Sequence, residues 1–258
     1  GKAIFFTAIS GVMLLIFLLI LLFIKEKPEG YDEFVAKYFP YISVGKRLSM
    51  AVKKPANWLL GIYAGVINLP LFVFGGLWGK LYFFNTMQFS MIHSFNLMTT
   101  LFVGAMVGFL FFGWLSSRFI RRRPLMIAAP LFGALLVGVL LLTADLSYDT
   151  SLVIFFFFGL TVGAQILSYL MMMELNESFI AGEAISVIFF SLFGLAILTM
   201  PLFELLLGWH AKTELLMQTH VVQVQHFHFA MTVFLLAFGL AFLVSFFLPE
   251  TCSKRQRV

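Results

Sequence analysis

Polar side chains recur at helical spacing inside long apolar runs of this sequence. His93, Asn96 and Thr100 stand at i, i+3 and i+7, and Thr161, Gln165 and Ser168 at i, i+4 and i+7, with Tyr169 beside them. Tyr63 and Asn68 share a run with Pro70, and Ser186, Ser191, Thr199 and Glu204 share another with Pro201. At 3.6 residues per turn, each of the first two sets falls on one helical face. Amides, hydroxyls, a phenol and an imidazole hold a solute by hydrogen bonds; they do not by themselves break its bonds. No run carries paired acids, a Ser–His pair or a ligand cluster, which argues against an intramembrane enzyme and predicts neither metal nor cofactor.

Each group also has a plainer reading. Ser and Thr in such positions commonly serve helix packing, through hydrogen bonds of about 0.6 kcal/mol. Asn68, Asn96 and Gln165 are less easily dismissed, because a larger amide costs more to bury unpaired. A lone histidine is more often structural than a proton carrier, though His93 is the side chain here suited to titrate near neutral pH. Glu204 sits near the end of its run and can reach water. His226 and His228 are one residue apart, so a helix points them away from each other, which predicts interfacial residues and not a metal site. The GxxxG pairs Gly61/Gly65, Gly75/Gly79, Gly104/Gly108 and Gly159/Gly163 predict close helix contacts.

The elements that must carry these residues follow from composition. The chain is 61% hydrophobic and 11% charged, with 34 phenylalanines and a mean hydropathy of +1.00. Soluble domains carry about 25% charged residues, so lipid is the matching solvent. Seven segments reach the roughly 20 apolar residues that a spanning helix needs: 4–24, 58–78, 90–112, 124–143, 152–172, 184–207 and 227–248. A backbone in lipid must satisfy itself, and no strand-like alternation is visible, so an all-α membrane protein of seven transmembrane helices is predicted. The first, fourth and seventh segments are nearly bare of polar side chains and are expected to face lipid; the other four are expected to line a cavity.

Charge sets the orientation. Of 17 basic residues, fourteen lie on one side: seven in the loop 25–56, four in the turn Arg118, Arg121, Arg122 and Arg123, and three in the tail. Lys2, Lys80 and Lys212 lie on the other. The N-terminus is therefore expected outside and the C-terminus in the cytoplasm. The net charge of +5 reflects this orientation and contact with membrane lipid, not nucleic acid. The loop 25–56, punctuated by Pro28, Gly30, Pro40 and Pro55, is expected to be a linker, with a short basic amphipathic helix at 44–52. One span precedes it and six follow, so residues 1–24 are expected to end a preceding unit, and Gly1 to mark a cut in a longer protein.

Residues 113–125 read Gly113-Trp-Leu115-Ser-Ser117-Arg118-Phe-Ile120-Arg121-Arg122-Arg-Pro-Leu125. This resembles the cytoplasmic loop motif of the major facilitator superfamily, G-x-L-a-D-r-x-G-r-k-x-x-l, in its C-terminal copy. Gly113, Leu115, Arg118, Arg121, Arg122 and Leu125 match, whereas Ser117 replaces the acidic residue and Ile120 the second glycine. Lys-Pro-Ala-Asn-Trp58, Glu174-Leu-Asn176 with Ala-Gly182-Glu-Ala, and Leu-Pro-Glu250-Thr resemble the family's seventh-helix start, its loop between helices ten and eleven, and its twelfth-helix ending. The polar pattern fits as well, since the family's peripheral helices six, nine and twelve would be the three bare spans.

The resemblance implies the sixth to twelfth helices of a secondary transporter: a six-helix C-terminal half-bundle at 57–258, the central linker, one preceding helix, and a partner N-terminal half. It implies alternating access, a small-molecule substrate, and a proton or sodium coupling ion, in what would be a bacterial inner membrane. It implies substrate contacts at Tyr63, Asn68, His93, Asn96, Gln165 and Tyr169, and gating roles for Gly113, Arg118, Arg121 and Arg122. A non-transporting scaffold, or a half-transporter working as a dimer, is the alternative. A rhodopsin-like receptor shares the topology, but the last span has no lysine for a Schiff base.

Overall fold

A computed structural model of the chain describes residues 2–23, 42–85, 87–119, 121–143, 146–214 and 224–251. The side chains of 2–6, 8, 210–214, 224 and 225 are not described. Residues 25–41 of the expected linker, Ile120 of the loop motif, and the tail with Cys252, Lys254, Arg255 and Arg257 also lie outside the described residues. The chain divides into two units at Ser43/Val44. The first contains α1, Lys2–Phe23.

The second unit is a helical bundle. It comprises α2 (Val44–Lys53), α3 (Pro55–Asn85), α4 (Met91–Arg118), α5 (Arg123–Leu142), α6 (Tyr148–Leu175), α7 (Ala181–Glu214) and α8 (Val224–Phe247). Among the described residues, six helices, α3 to α8, are long and apolar enough to cross a membrane, and α1 adds a shorter apolar helix over Ile9–Phe23. Local signals start several of them. Ser90 accepts the N–H of His93 at 3.2 Å and Ser147 that of Thr150 at 3.2 Å, while prolines open α3 and α5.

Close packing follows the GxxxG pairs. A methyl group added at Gly104 would overlap the carbonyl of Phe156, and one at Gly159 the carbonyl of Leu101. Gly163 lies against the backbone of Gly108, so α4 and α6 interlock along both pairs. Gly61 and Gly65 do the same for α3 against α7; added methyls would stand 2.5 Å from Ser191 Oγ and 2.7 Å from Leu195. Without water to drive association, such backbone approach is what holds helices together in lipid.

At Pro70 the helical spacing of α3 changes. Proline has no N–H and crowds the carbonyl one turn back, so the ladder must be rewritten there. α3 is α-helical to Pro70 and π-helical over Leu71–Trp78, and Gly79 N–H bonds to Phe74 O, five residues earlier. This widened stretch places Phe74 at the centre of the core, its ring 5.2–6.2 Å from Tyr82, Phe155, Phe203 and Phe234. α8 buries Phe227, Met231, Phe234, Phe238 and Ala241 on one face and exposes Leu236, Leu243 and Phe247 on another.

Candidate functional site

The predicted site residues occupy three levels of the bundle. In the middle, Asn68 on α3 donates from Nδ2 to Gln165 Oε1 on α6, and Gln165 Nε2 donates to Tyr169 Oη at 2.9 Å. Gln165 ends a 3₁₀ turn, Gly163–Gln165, which is pressed against α4 by the contact of Gly163 with Gly108. Asn68 and Gln165 are 5% and 4% exposed, so their amides must find protein partners. Asn68 Oδ1 nevertheless has none among the described residues, and neither has Ser168 Oγ or Tyr63 Oη. Tyr63 is fully buried and does not join the chain.

Aromatic rings extend from that chain. The half-buried Tyr169 ring is 5.8 Å from Phe189 on α7; Phe189 and Phe193 lie with ring planes 16° apart and centroids at 6.3 Å. Phe193 is 5.8 Å from Phe72 in the π-helical stretch of α3. Phe189 and Phe193 are 47% and 52% exposed.

A second group sits at the end of the bundle opposite the arginines. His93, in the first turn of α4, stacks on Tyr148 at the start of α6, with centroids 4.1 Å apart. Asn96 Nδ2 donates to Tyr148 Oη at 3.3 Å. Tyr148 and Gln165 are 17 positions apart on α6, a rise of roughly 25 Å. The six substrate residues expected from sequence thus divide, and no single small solute touches both groups. Lys80 Nζ lies 4.2 Å from the Phe95 ring centroid at the same end.

The third level is the arginine end. Arg122, 6% exposed, pairs through Nη2 with Glu174 at 2.7 Å. The Arg122 and Arg123 backbone N–H groups donate to Glu250 Oε1 at 3.0 and 3.4 Å, capping α5 from beyond the end of α8. Arg118 instead packs over the Trp114 ring at 5.3 Å, Arg121 is exposed, and nothing lies within 4 Å of a methyl placed at Gly113. Nearby, Asn57 and Asn176 clasp reciprocally: Asn57 Nδ2 donates to Asn176 Oδ1 at 3.2 Å and Asn176 Nδ2 to Asn57 Oδ1 at 2.8 Å. Lys54 Nζ donates to Leu175 O, and Arg47 pairs with Glu183 at 2.9 Å.

Tyr148, Glu174, Glu250 and the two asparagines were not among the expected site residues. Glu174, Asn57, Asn176 and Glu250 sit in the quoted motifs, which was their only signal; Tyr148 had none. Most hydroxyls of the stripes bond to their own helix one turn back: Thr100 to Asn96 O, Thr161 to Phe157 O, Ser191 to Val187 O and Thr199 to Leu195 O. Among the described residues no group of His, Cys, Asp and Glu is placed to hold a metal ion.

A family model described as Major Facilitator Superfamily matches residues 3–201. No curated protein matches the chain.

Proposed function

Because the chain belongs to the Major Facilitator Superfamily, a family of membrane transporters, we propose that it moves a small solute by alternating access. The bundle α3 to α8 works against a second six-helix half, with the solute held between them beside Gln165 and Tyr169. The observation that carries this reading is the hydrogen-bonded chain Asn68–Gln165–Tyr169. Three neutral polar side chains are placed mid-helix, where polar groups are costly and face the protein interior or a cavity. A proton or sodium gradient drives the movement. The membrane is a bacterial inner membrane, and the arginine end faces the cytoplasm, an orientation that the distribution of basic residues supports. There the Arg122–Glu174 pair, together with Glu250, holds α5, α6 and α8 as one body in one of the two access states.

Cells carrying the intact protein and cells carrying Gln165→Ala, matched for folded protein in the membrane, are compared by mass spectrometry of cytosol and medium. At least one solute is expected to redistribute only with the unaltered protein. Identical solute profiles overturn the proposal.

A further inference from the structure

We infer that the transported solute is uncharged and presents two different sides: a flat apolar face stacked on Phe189 and Phe193, and a hydrogen-bonding group directed at the Gln165–Tyr169 pair. This inference rests on the transport reading above and narrows it to a substrate class.

The rings define one side. Tyr169, Phe189, Phe193 and Phe72 follow one another at 5.8, 6.3 and 5.8 Å across α6, α7 and α3. Phe189 and Phe193 are one turn apart, so they share a face of α7, and their planes differ by 16°. About half of each ring is uncovered. Near-parallel rings at this spacing suit the face of a planar apolar group, worth about 0.5–1.5 kcal/mol per ring pair beyond area burial.

The polar side abuts the rings directly, because Tyr169 belongs to both. Its hydroxyl receives Gln165 Nε2, and Gln165 Oε1 receives Asn68 Nδ2. Lipid tails would match the rings but not the hydroxyl of Tyr169 beside them. A solute carrying a ring and a hydroxyl or amide matches both.

This wall supplies a solute with no ionic partner. No Lys, Arg, Asp or Glu occurs in 55–79, 150–173 or 184–203. The charges next along these helices are Lys80, Asp149, Glu174, Glu183 and Glu204, and Asp149 is 20 positions from Tyr169, roughly 30 Å along α6. Glu174 is already paired with Arg122, and Glu183 with Arg47. Glu204 is 11 positions from Phe193, roughly 16 Å along the helix. Against this wall an anion would be desolvated without a counter-charge, and a cation would meet ring faces but no carboxylate.

The test uses the full carrier in its native membrane with every native cysteine, Cys252 included, replaced by serine, and with Ile197→Cys. Ile197 lies one turn beyond Phe193 on the same face and is 70% exposed. Labelling by a membrane-impermeant maleimide is followed with three probes that differ in head charge: 3-phenylpropanamide, 3-phenylpropanoate and 3-phenylpropyl-trimethylammonium. The neutral amide is expected to slow labelling several-fold, the two ions are not, and adding Phe193→Ala is expected to remove the protection, each variant being compared with its own rate without probe. Labelling that none of the probes slows, or that an ion slows most, overturns the substrate class and leaves the transport reading standing. Protection that survives Phe193→Ala overturns the ring contact. A cysteine reached only by a lipid-soluble maleimide overturns the ring contact and the substrate class and leaves the transport reading standing, since the face then meets lipid.

Discussion

The carboxylate of Glu250 accepts the backbone N–H of Arg122 at 3.0 Å, across 128 positions of chain. α5 has no side-chain cap of its own at Arg122, so the acid beyond α8 supplies one, in the place where a helix dipole favours negative charge. Glu250→Ala is expected to destabilise the bundle by about 1–2 kcal/mol, and Glu250→Gln by less, because an acceptor remains. Glu174→Ala is expected to cost about 1–3 kcal/mol, since it leaves the buried Arg122 guanidinium without its ion pair. Thermal unfolding in detergent ranks the three; an unshifted midpoint for Glu174→Ala would contradict the pair's structural role.

The separation of Gln165 from the His93–Tyr148 stack makes a prediction about transport. Gln165→Ala removes both links of the central chain and should reduce transport roughly tenfold or more, given about 1.5 kcal/mol or more for the two bonds. His93→Ala and Asn96→Ala act at the mouth and should change transport much less. Uptake assays at equal expression decide between them. Equal losses in all three variants would mean that the two levels act as one site.

Gly159 and Gly113 differ in surroundings although both lie in glycine-bearing motifs. Gly159→Ala forces a methyl into the carbonyl of Leu101 and should destabilise by about 1–3 kcal/mol. Gly113→Ala meets nothing within 4 Å and should leave folding unchanged. Size-exclusion profiles and melting midpoints of the two variants, measured side by side, test this. A monodisperse, fully stable Gly159→Ala protein would refute the interlock.

The Asn57–Asn176 clasp predicts non-additivity. Each side chain donates to the other, so Asn57→Ala or Asn176→Ala alone breaks both bonds and leaves the surviving amide only its remaining partners, Ala51 O for Asn57 or Met172 O and Lys54 for Asn176. The double variant should be no less stable than the worse single one, with a coupling energy of about 0.5–3 kcal/mol in the cycle. Strictly additive losses would show that the two amides act independently.

Much of the fold is legible in the chain itself. Hydropathy alone sets the six long apolar helices of the bundle, because a backbone in lipid must bond within its own segment. The GxxxG pairs announce which helices approach closely, because only glycine lets two backbones come that near; Gly104 and Gly108 with Gly159 and Gly163 do so as expected. Pro70 marks the disturbance in α3 for an equally local reason. What spacing does not carry is depth and partner. His93 and Gln165 look alike in sequence, each an isolated polar residue on a striped helix. Only the packing pairs one with Tyr148 and the other with Asn68 and Tyr169, and Tyr148 and Gln165 stand roughly 25 Å apart along α6. The arginine turn shows the same limit. Arg118, Arg121 and Arg122 all match the motif, yet the end of α6 and the residue beyond α8 converge on Arg122, and a helical pattern says nothing about which distant segments arrive there. Phe72, Phe189 and Phe193 read as three among many lipid-facing phenylalanines, until the assembly of α3, α6 and α7 joins them to the phenol of Tyr169.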